Sequence, residues 1–235
     1  LAHRAVAFGD FFALVPQDNS VYCQCAACRA QMNRAYADSP FFSNGYASDY
    51  VFGFANQVAE AIAASHPDKY LATLAYAKYA YYPERVRLEP NIAVQLCLHV
   101  RNIHDTALQE NDLKFFRSWA TKEKDRPIYL WLYYCFPAER GHRLGGWHVW
   151  PGFFAHGIDR WFKRFAAHGV KGAFFNGGGQ DVEMYVTCNL LDDPGQDVDD
   201  LLDDYFTGYF GAAAEPMKRF YLLVENVYSD PANYP

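Results

Sequence analysis

The sequence predicts an α/β fold in which a parallel sheet is built from strands that alternate with helices. Short apolar runs alternate with longer stretches in which apolar residues recur at helical spacing. The run at residues 128–134 is apolar on both faces, which suits a parallel strand covered on both sides. With 235 residues, 51% of them hydrophobic, the chain can bury one substantial core, so we expect a single domain over residues 1–235.

Five strands are expected from the apolar runs. Because a helical stretch separates each strand from the next, the pattern favours βα units and therefore a parallel sheet. The strands are predicted at residues 11–15, 70–76, 92–99, 128–134 and 170–175.

Helices are expected between and after these strands. In the helix after the first strand, Ser48 and Asp49 are predicted to cap the N-terminus. Its apolar face is predicted to consist of Phe54, Val58, Ala61 and Ile62. The remaining helices are expected around residues 108–121, 153–165 with Gly169 as the stop, 180–191, 197–209 and 215–228.

Five βα units are too few to close an eight-stranded barrel. The simplest interpretation is the C-terminal portion of a (β/α)8 barrel, about its fourth to eighth strands, taken from a longer protein. A doubly wound open sheet is the alternative, but no Gly-rich dinucleotide turn follows the first strand.

Charge and hydropathy narrow the choice of partners. A net charge of -6 leaves no large basic surface, so nucleic acid is not an expected partner. No apolar segment approaches the roughly 20 residues that a membrane-spanning helix needs, so a membrane partner is not expected either. Because the chain opens on Leu1 and runs almost at once into a strand, we expect the rest of a barrel, and any export signal, to lie outside it.

A polar turn after the first strand carries the first candidate for chemistry. In parallel α/β proteins, reactive groups gather where strands end, because the sheet fixes them and the loop exposes them. Asp18 occupies such a place, and we expect neighbouring aromatic residues to shield it partly from water. Alternatively, Asp18 and Asn19 only form a turn, since both residue types cap their own backbone.

Further candidates stand at or near the ends of the other strands. Aromatic rings offer flat apolar faces with polar edges, although most rings in such a chain belong to the core. Asn176 is followed by three glycines, which present backbone amides to an anion or simply form a tight turn. The other candidates at strand ends are Tyr76, His99, Trp131 and Tyr133.

The cysteines allow three interpretations. Cys23, Cys25 and Cys28 have the spacing of part of a structural zinc site, but complete zinc motifs usually arrive as two pairs. Disulfide bonds in an exported protein are a second interpretation, and simple thiols are the third. We favour simple thiols, and therefore expect no metal and no cofactor.

Several motifs together resemble the bacterial family called domain of unknown function 4838, over nearly the whole chain and in the same order. The motifs are the Asp18-Asn19 turn with Cys-x-Cys-x-x-Cys, Phe54-Ala-Asn56-Gln-Val58-Ala, Leu74-Ala-Tyr76, Pro90-Asn91-Ile92-Ala-Val94, Gly169-Val-Lys-Gly172-Ala-Phe-Phe, and Asp197-Val-Asp-Asp-Leu-Leu to Tyr209-Phe-Gly211.

The resemblance implies a glycoside-hydrolase-like (β/α)8 barrel, similar to α-glucuronidases and β-hexosaminidases. The expected function is hydrolysis of a polysaccharide or oligosaccharide of uronic acid or N-acetylhexosamine type by an exported bacterial protein. A non-catalytic glycan-binding barrel and a structural barrel domain are the alternatives.

Glycosidic cleavage usually needs two carboxyl groups, unless an acetamido sugar supplies its own nucleophile. The first of the two carboxyl groups is expected to be that of Asp18. Its partner would be one of three acids that follow strand ends, namely Glu139, Asp181 or Glu183. The residues expected to bind the carbohydrate substrate are Asn19, Tyr76, His99, Trp131, Tyr133 and Asn176.

Overall fold

The computed structural model describes residues 9–123, 125–134 and 152–233. Over these ranges the chain has the predicted α/β fold, with a five-stranded sheet whose strands lie side by side in chain order. The strands are β1 (Phe11–Ala13), β2 (Tyr70–Ala75), β3 (Ile92–Leu98), β4 (Ile128–Tyr133) and β5 (Ala173–Asn176).

The register confirms parallel pairing at the start of the sheet. Phe11 of β1 lies opposite Tyr70 of β2, and Leu71 of β2 lies opposite Ile92 of β3, with parallel strands in both pairs. A parallel pair needs a long crossover, which the helical stretch between β1 and β2 supplies.

The predicted helices are all present, and a short additional helix, α1, follows β1. Gly169 has a φ of +68° just beyond α4, which confirms it as the stop of that helix. Within the described ranges, no helix is both long and apolar enough to cross a membrane. The helices are α1 (Ala26–Ala30), α2 (Ser48–Ser65), α3 (Thr106–Ala120), α4 (Ala155–Ala167), α5 (Asp181–Asp192), α6 (Val198–Phe210) and α7 (Ala214–Ser229).

The start of α2 differs from the predicted cap. Ala47 occupies the cap position, and the Ser48 hydroxyl instead donates to the Tyr81 carbonyl at 2.7 Å. The Asp49 carboxylate accepts from the backbone N–H and the Nε–H of Arg85, both at 2.8 Å. Both residues therefore tie the helix to a distant loop rather than cap it.

The predicted buried face of α2 is also partly wrong. Phe52, Ala55, Ala59 and Ile62 form the buried face, whereas Phe54 is 57% exposed. Small alanines let the helix axis approach its neighbours closely, so side-chain size alone was a misleading guide to the inward direction.

The chain divides into two compact units. The first comprises the residues up to Cys97 together with Leu113–Trp131. At its centre the Phe52 and Trp119 rings meet edge to face at 5.1 Å, and the Trp119 indole donates to the Ala80 carbonyl at 2.7 Å. The indole is thus both packed and satisfied, as a buried tryptophan requires.

The second unit comprises Leu98–Asp112 and the chain from Leu132 onward. Helix α4 buries Trp161, Phe162 and Phe165 in this unit, as its apolar periodicity predicts. The Trp161 and Phe165 rings stack at 5.3 Å between centroids.

In the part of the chain that the structure describes, one face of the sheet in the first unit is poorly covered. Along β2, Leu71, Thr73 and Ala75 are buried while the alternating residues are half-buried, and Phe11 of β1 is 44% exposed. An open cavity of about 290 Å³ follows this face. It is lined by Phe11, Ala13, Ala72, Leu74, Gln95 and Tyr129.

Candidate functional site

The first candidate cluster joins Asp18, in the loop after β1, to Tyr76, the residue that follows β2. The Tyr76 phenol is hydrogen-bonded to the Asp18 carboxylate, and Tyr76 is half-buried. Burial raises the pKa of Tyr76, and the charge of Asp18 and the hydrogen bond to it raise the pKa further. Tyr76 is therefore a protonated donor that orients the carboxylate.

Asp18 itself is exposed, so the expectation of a partly desolvated carboxyl group is wrong for the described residues. The aromatic residues gather around Tyr76 instead, where the rings of Phe42 and Tyr79 lie 5.3 and 6.3 Å away. The carboxylate thus combines access to solvent with a fixed hydrogen-bond donor.

A strained backbone turn holds Tyr76 in place. Ala77 has a φ of +48° and is the one non-glycine residue with positive φ in the part of the chain that the structure describes. Its carbonyl accepts from the Asn44 N–H at 2.9 Å, and the Tyr76 carbonyl accepts from the Tyr79 N–H at 2.9 Å. Such strain persists only where surrounding contacts fix the backbone, and it is frequent at functional sites.

Asn19 turns back onto its own loop. Its side-chain oxygen accepts from the Val21 N–H at 2.9 Å, and its amide donates to Gln17 Oε1 at 3.3 Å. The geometry is that of an Asx turn, the structural alternative that the sequence offered. Asn19 also lines an open cavity of about 530 Å³, together with Tyr50, Phe54 and Tyr79.

The second candidate cluster belongs to the second unit and begins with His99, directly after β3. The His99 imidazole stacks on the Tyr133 ring at 4.5 Å with a 9° angle between planes. Both side chains are buried, and burial lowers the pKa of His99 to about 4. His99 is therefore neutral near pH 7 and offers one donor and one acceptor nitrogen.

Glu183 forms a buried ion pair with Arg101. The Arg101 Nη1 donates to both carboxylate oxygens of Glu183 at 3.0 and 2.9 Å, and neither side chain has accessible surface. The Gln180 N–H donates to Glu183 Oε2 at 2.8 Å, which closes a capping box at the start of α5. Burial raises the pKa of Glu183, while the Arg101 charge and the backbone hydrogen bonds act in the opposite direction. The Glu183 carboxylate therefore stabilises the fold through its contacts with Arg101 and with the start of α5.

Asp181 and Asn176 flank the glycine turn that precedes α5. Asp181 is exposed in the first turn of the helix, where a negative charge is favourable. Asn176 ends β5, and positive φ angles at Gly177 and Gly179 turn the chain sharply after it. The glycine run is thus a tight turn, and the amide it leads to already binds the Glu183 carboxylate.

Of the two remaining candidates, Trp131 and Glu139, the structure describes only Trp131. Trp131 lies half-buried in β4, on the same side of the strand as Tyr129. Glu139 lies outside the described residues.

The three cysteines after β1 do come together. The Sγ atoms of Cys23, Cys25 and Cys28 all lie within 4.8 Å of one another. Hydrogen bonds from the backbone and side chain of Cys28 lower the pKa of Cys25. The pKa of Cys28 is raised to about 11, chiefly by its hydrogen bonds with the Cys25 and Cys23 thiols.

Two residues that contact buried carboxylates could not be predicted from the sequence. The sequence gave no sign of the pairing of Arg101, because its partner Glu183 is 82 positions away. His156 of α4 contacts Glu225 of α7 at 2.6 Å, and that hydrogen bond raises the pKa of His156. Only the position of Arg101 close after a strand end, where functional groups gather, offered a clue.

Fold and site together define a parallel α/β protein in which polar and aromatic side chains follow the ends of the strands. The family described as domain of unknown function (DUF4838) matches residues 9–222, and the chain therefore belongs to this family. This confirms the resemblance carried by the sequence motifs. No curated protein and no solved structure matches the chain.

Proposed function

We propose that this chain supplies strands to a (β/α)8 barrel of an exported, carbohydrate-active protein that acts as a glycoside hydrolase. The observation that carries the proposal is the hydrogen-bonded pair of Asp18 and Tyr76 after two adjacent parallel strands. Adjacent strand ends are where barrel enzymes place their catalytic groups.

The poorly covered sheet face supports the barrel. Residues that point into a closed barrel are covered by side chains from the other strands, in layers. Here Phe11 is 44% exposed, and Ala72 and Leu74 are half-buried on the same face as the open cavity. Further strands outside this chain would cover that face and complete the barrel.

The acid and phenol suit a reaction that needs few protein carboxyl groups. Of the candidate partners, Glu183 is committed to Arg101 and has no accessible surface. An N-acetylhexosamine can supply its own acetamido oxygen as the nucleophile, which leaves the protein to orient that group and to protonate the leaving oxygen. We propose that Asp18, hydrogen-bonded to Tyr76, serves as the acid that protonates the leaving oxygen and that the neighbouring Asn19 orients the acetamido group. The aromatic residues beside Tyr76 would contact the sugar ring.

The test uses the full-length natural protein and a panel of aryl glycosides that includes N-acetylhexosaminides and uronides. Asp18→Asn should lower kcat by about 10²- to 10⁴-fold with little change in sugar affinity, because the change removes proton donation and negative charge but little volume. Asp38→Asn, which alters another exposed acid of the first unit, is the matched control and should leave kcat unchanged.

Sugar binding without turnover of any glycoside would favour a non-catalytic glycan-binding domain instead. The exposed Asp18 and the neighbouring aromatic residues are compatible with that function as well. Turnover that survives Asp18→Asn would leave the hydrolase in place and remove Asp18 from its catalytic set.

A further inference from the structure

The loop between β1 and α2 gathers three thiols at one point. The sulfur atoms of Cys23, Cys25 and Cys28 lie within 4.8 Å of one another, although they occupy a segment of only six residues. Cys23 and Cys25 are exposed and Cys28 is partly exposed, so an ion in solution can reach all three.

The backbone itself brings the sulfurs together. Cys25 is extended, with φ −63° and ψ 157°, and it directly precedes α1. Its carbonyl accepts from the Arg29 N–H at 3.0 Å, so helical geometry places Cys28 one turn further on, on the same side as Cys25. Side chains two positions apart in an extended segment also share a side, which adds Cys23.

The spacing fits a thiolate-bound cation. A tetrahedral zinc site with Zn–S distances of about 2.3 Å has sulfur–sulfur edges of about 3.8 Å. The 4.8 Å limit therefore requires at most small side-chain rotations to close on an ion. Soft thiolates prefer Zn²⁺ or Cu⁺ to the hard cations Mg²⁺ and Ca²⁺.

A neighbouring helix steadies the cluster. The Tyr50 phenol, on α2, is hydrogen-bonded to Cys28, and the Tyr50 ring packs edge to face on the Tyr22 ring at 6.0 Å. A donor of this kind orients a ligand atom without binding the metal itself.

We propose that Cys23, Cys25 and Cys28 form a zinc site with three thiolate ligands and a water molecule in the fourth position. Among the residues that the structure describes, no other His, Cys, Asp or Glu belongs to this group, and the exposure of the thiols gives water access. Each thiol that binds Zn²⁺ gives up its proton to solvent, so binding is accompanied by proton release. The ion fixes the loop that carries Asp18 and Asn19, independently of any catalytic activity.

The experiment titrates the reduced, metal-free full-length protein with Zn²⁺ alone, and in parallel with Co²⁺ as a spectroscopic probe. We expect one equivalent to bind this loop, with an intense thiolate-to-cobalt charge-transfer absorption. Cys25→Ser should weaken the affinity by about 100-fold or more, since loss of an outer hydrogen-bond partner alone costs about 10- to 100-fold. Tyr50→Phe keeps all three thiols and should weaken the affinity by about 10-fold.

Cys188→Ser is the matched control, because Cys188 is an exposed free thiol that belongs to the other unit. It should leave both the affinity and the cobalt spectrum unchanged. Equal binding by the wild type and Cys25→Ser would overturn the proposal. A disulfide among the three cysteines that blocks metal uptake would also overturn it. In protein isolated without reductant, such a disulfide appears as a mass lower by two hydrogen atoms.

Discussion

Asp18 and Glu183 are both carboxylates that follow strands of the same sheet, yet their surroundings are opposite. Asp18 is exposed and is hydrogen-bonded to the phenol of Tyr76. Glu183 has no accessible surface and binds the Arg101 guanidinium and the Gln180 N–H. Proximity to a strand end therefore does not make a carboxylate a candidate for catalysis, because access and the existing partners decide its use.

The contrast extends to the residues around each carboxylate. In the first unit, the strained Ala77 turn holds Tyr76 beside an acid that solvent reaches. In the second unit, His99 and Tyr133 stack in a buried pair. The first arrangement leaves its carboxylate accessible to solvent, whereas the second is buried within its own unit.

The largest expected effect on stability is that of Glu183→Gln. The substitution keeps the side-chain shape but removes the negative charge that pairs with the buried Arg101 cation, so we expect the free energy of unfolding to fall by about 3–5 kcal/mol. Urea denaturation followed by circular dichroism measures the change. Asp18→Asn is the control from the exposed site and should stay within about 0.5 kcal/mol of the wild type. If the free energy of unfolding fell equally in the two variants, the two carboxylates would not differ in their contribution to stability.

The second expected effect is a pH dependence that originates at His99. Its pKa is about 4 in the folded chain and 6.5 when unperturbed, so between these pH values the unfolded chain binds a proton that the folded chain does not. The stabilisation is fully present above pH about 6.5 and is lost as the pH falls towards 4, by about 3 kcal/mol in total. The measurement is the difference in unfolding free energy between wild type and His99→Gln across this range. A difference that does not vary with pH would contradict the buried neutral imidazole.

A smaller effect separates two glycines with the same backbone angle. Gly179 and Gly169 both have a φ of +68°, but a Cβ on Gly179 would lie 2.3 Å from Glu183 Oε2, whereas none of the atoms near Gly169 comes within 4 Å. Gly169→Ala should cost about 1–2 kcal/mol from backbone strain alone. Gly179→Ala should cost more, because it also displaces the carboxylate from Arg101. Thermal unfolding of the two variants compares these costs, and equal values would show that the Glu183 side chain gives way freely.

The smallest expected effect concerns the phenol at the exposed site. Tyr76→Phe removes the hydrogen bond to Asp18 and should lower the free energy of unfolding by about 0.5–1.5 kcal/mol. If Tyr76 orients Asp18 for catalysis, kcat should also fall by more than this loss of stability explains. The rate with the aryl glycoside that the wild type cleaves best is the measurement. An unchanged rate would reduce Tyr76 to a packing residue.

The elements of the fold could be predicted because each rests on local information. The apolar run of β4 and the aromatic periodicity of α4 record burial directly, and Gly169 marks a backbone angle that other residues disfavour. The buried face of α2 was harder to predict from the sequence. Two of its four buried apolar positions are alanines, whereas the large Phe54 is exposed beside a cavity.

The sequence predicted where the candidate site residues lie, after the strands, but not which partners they contact. The sequence pointed to Asp18 and Tyr76, since both follow strands, but not to the hydrogen bond between them. The Arg101–Glu183 pair joins residues 82 positions apart, and a single sequence holds no record of such a partnership. Burial was likewise hidden: Asp18 was expected to be shielded, and Glu183 to be accessible.

The capping box at α5 also has a consequence for ligand selectivity. The Gln180 N–H, at the start of this helix, could bind the carboxylate of a uronate. It already donates a hydrogen bond to the carboxylate of Glu183 in the same helix. A tethered competitor acts at a high effective concentration, and a dissolved anion would have to displace it and also break its pair with Arg101. We therefore expect the amide at this end of β5 to be a poor binding site for an acidic sugar.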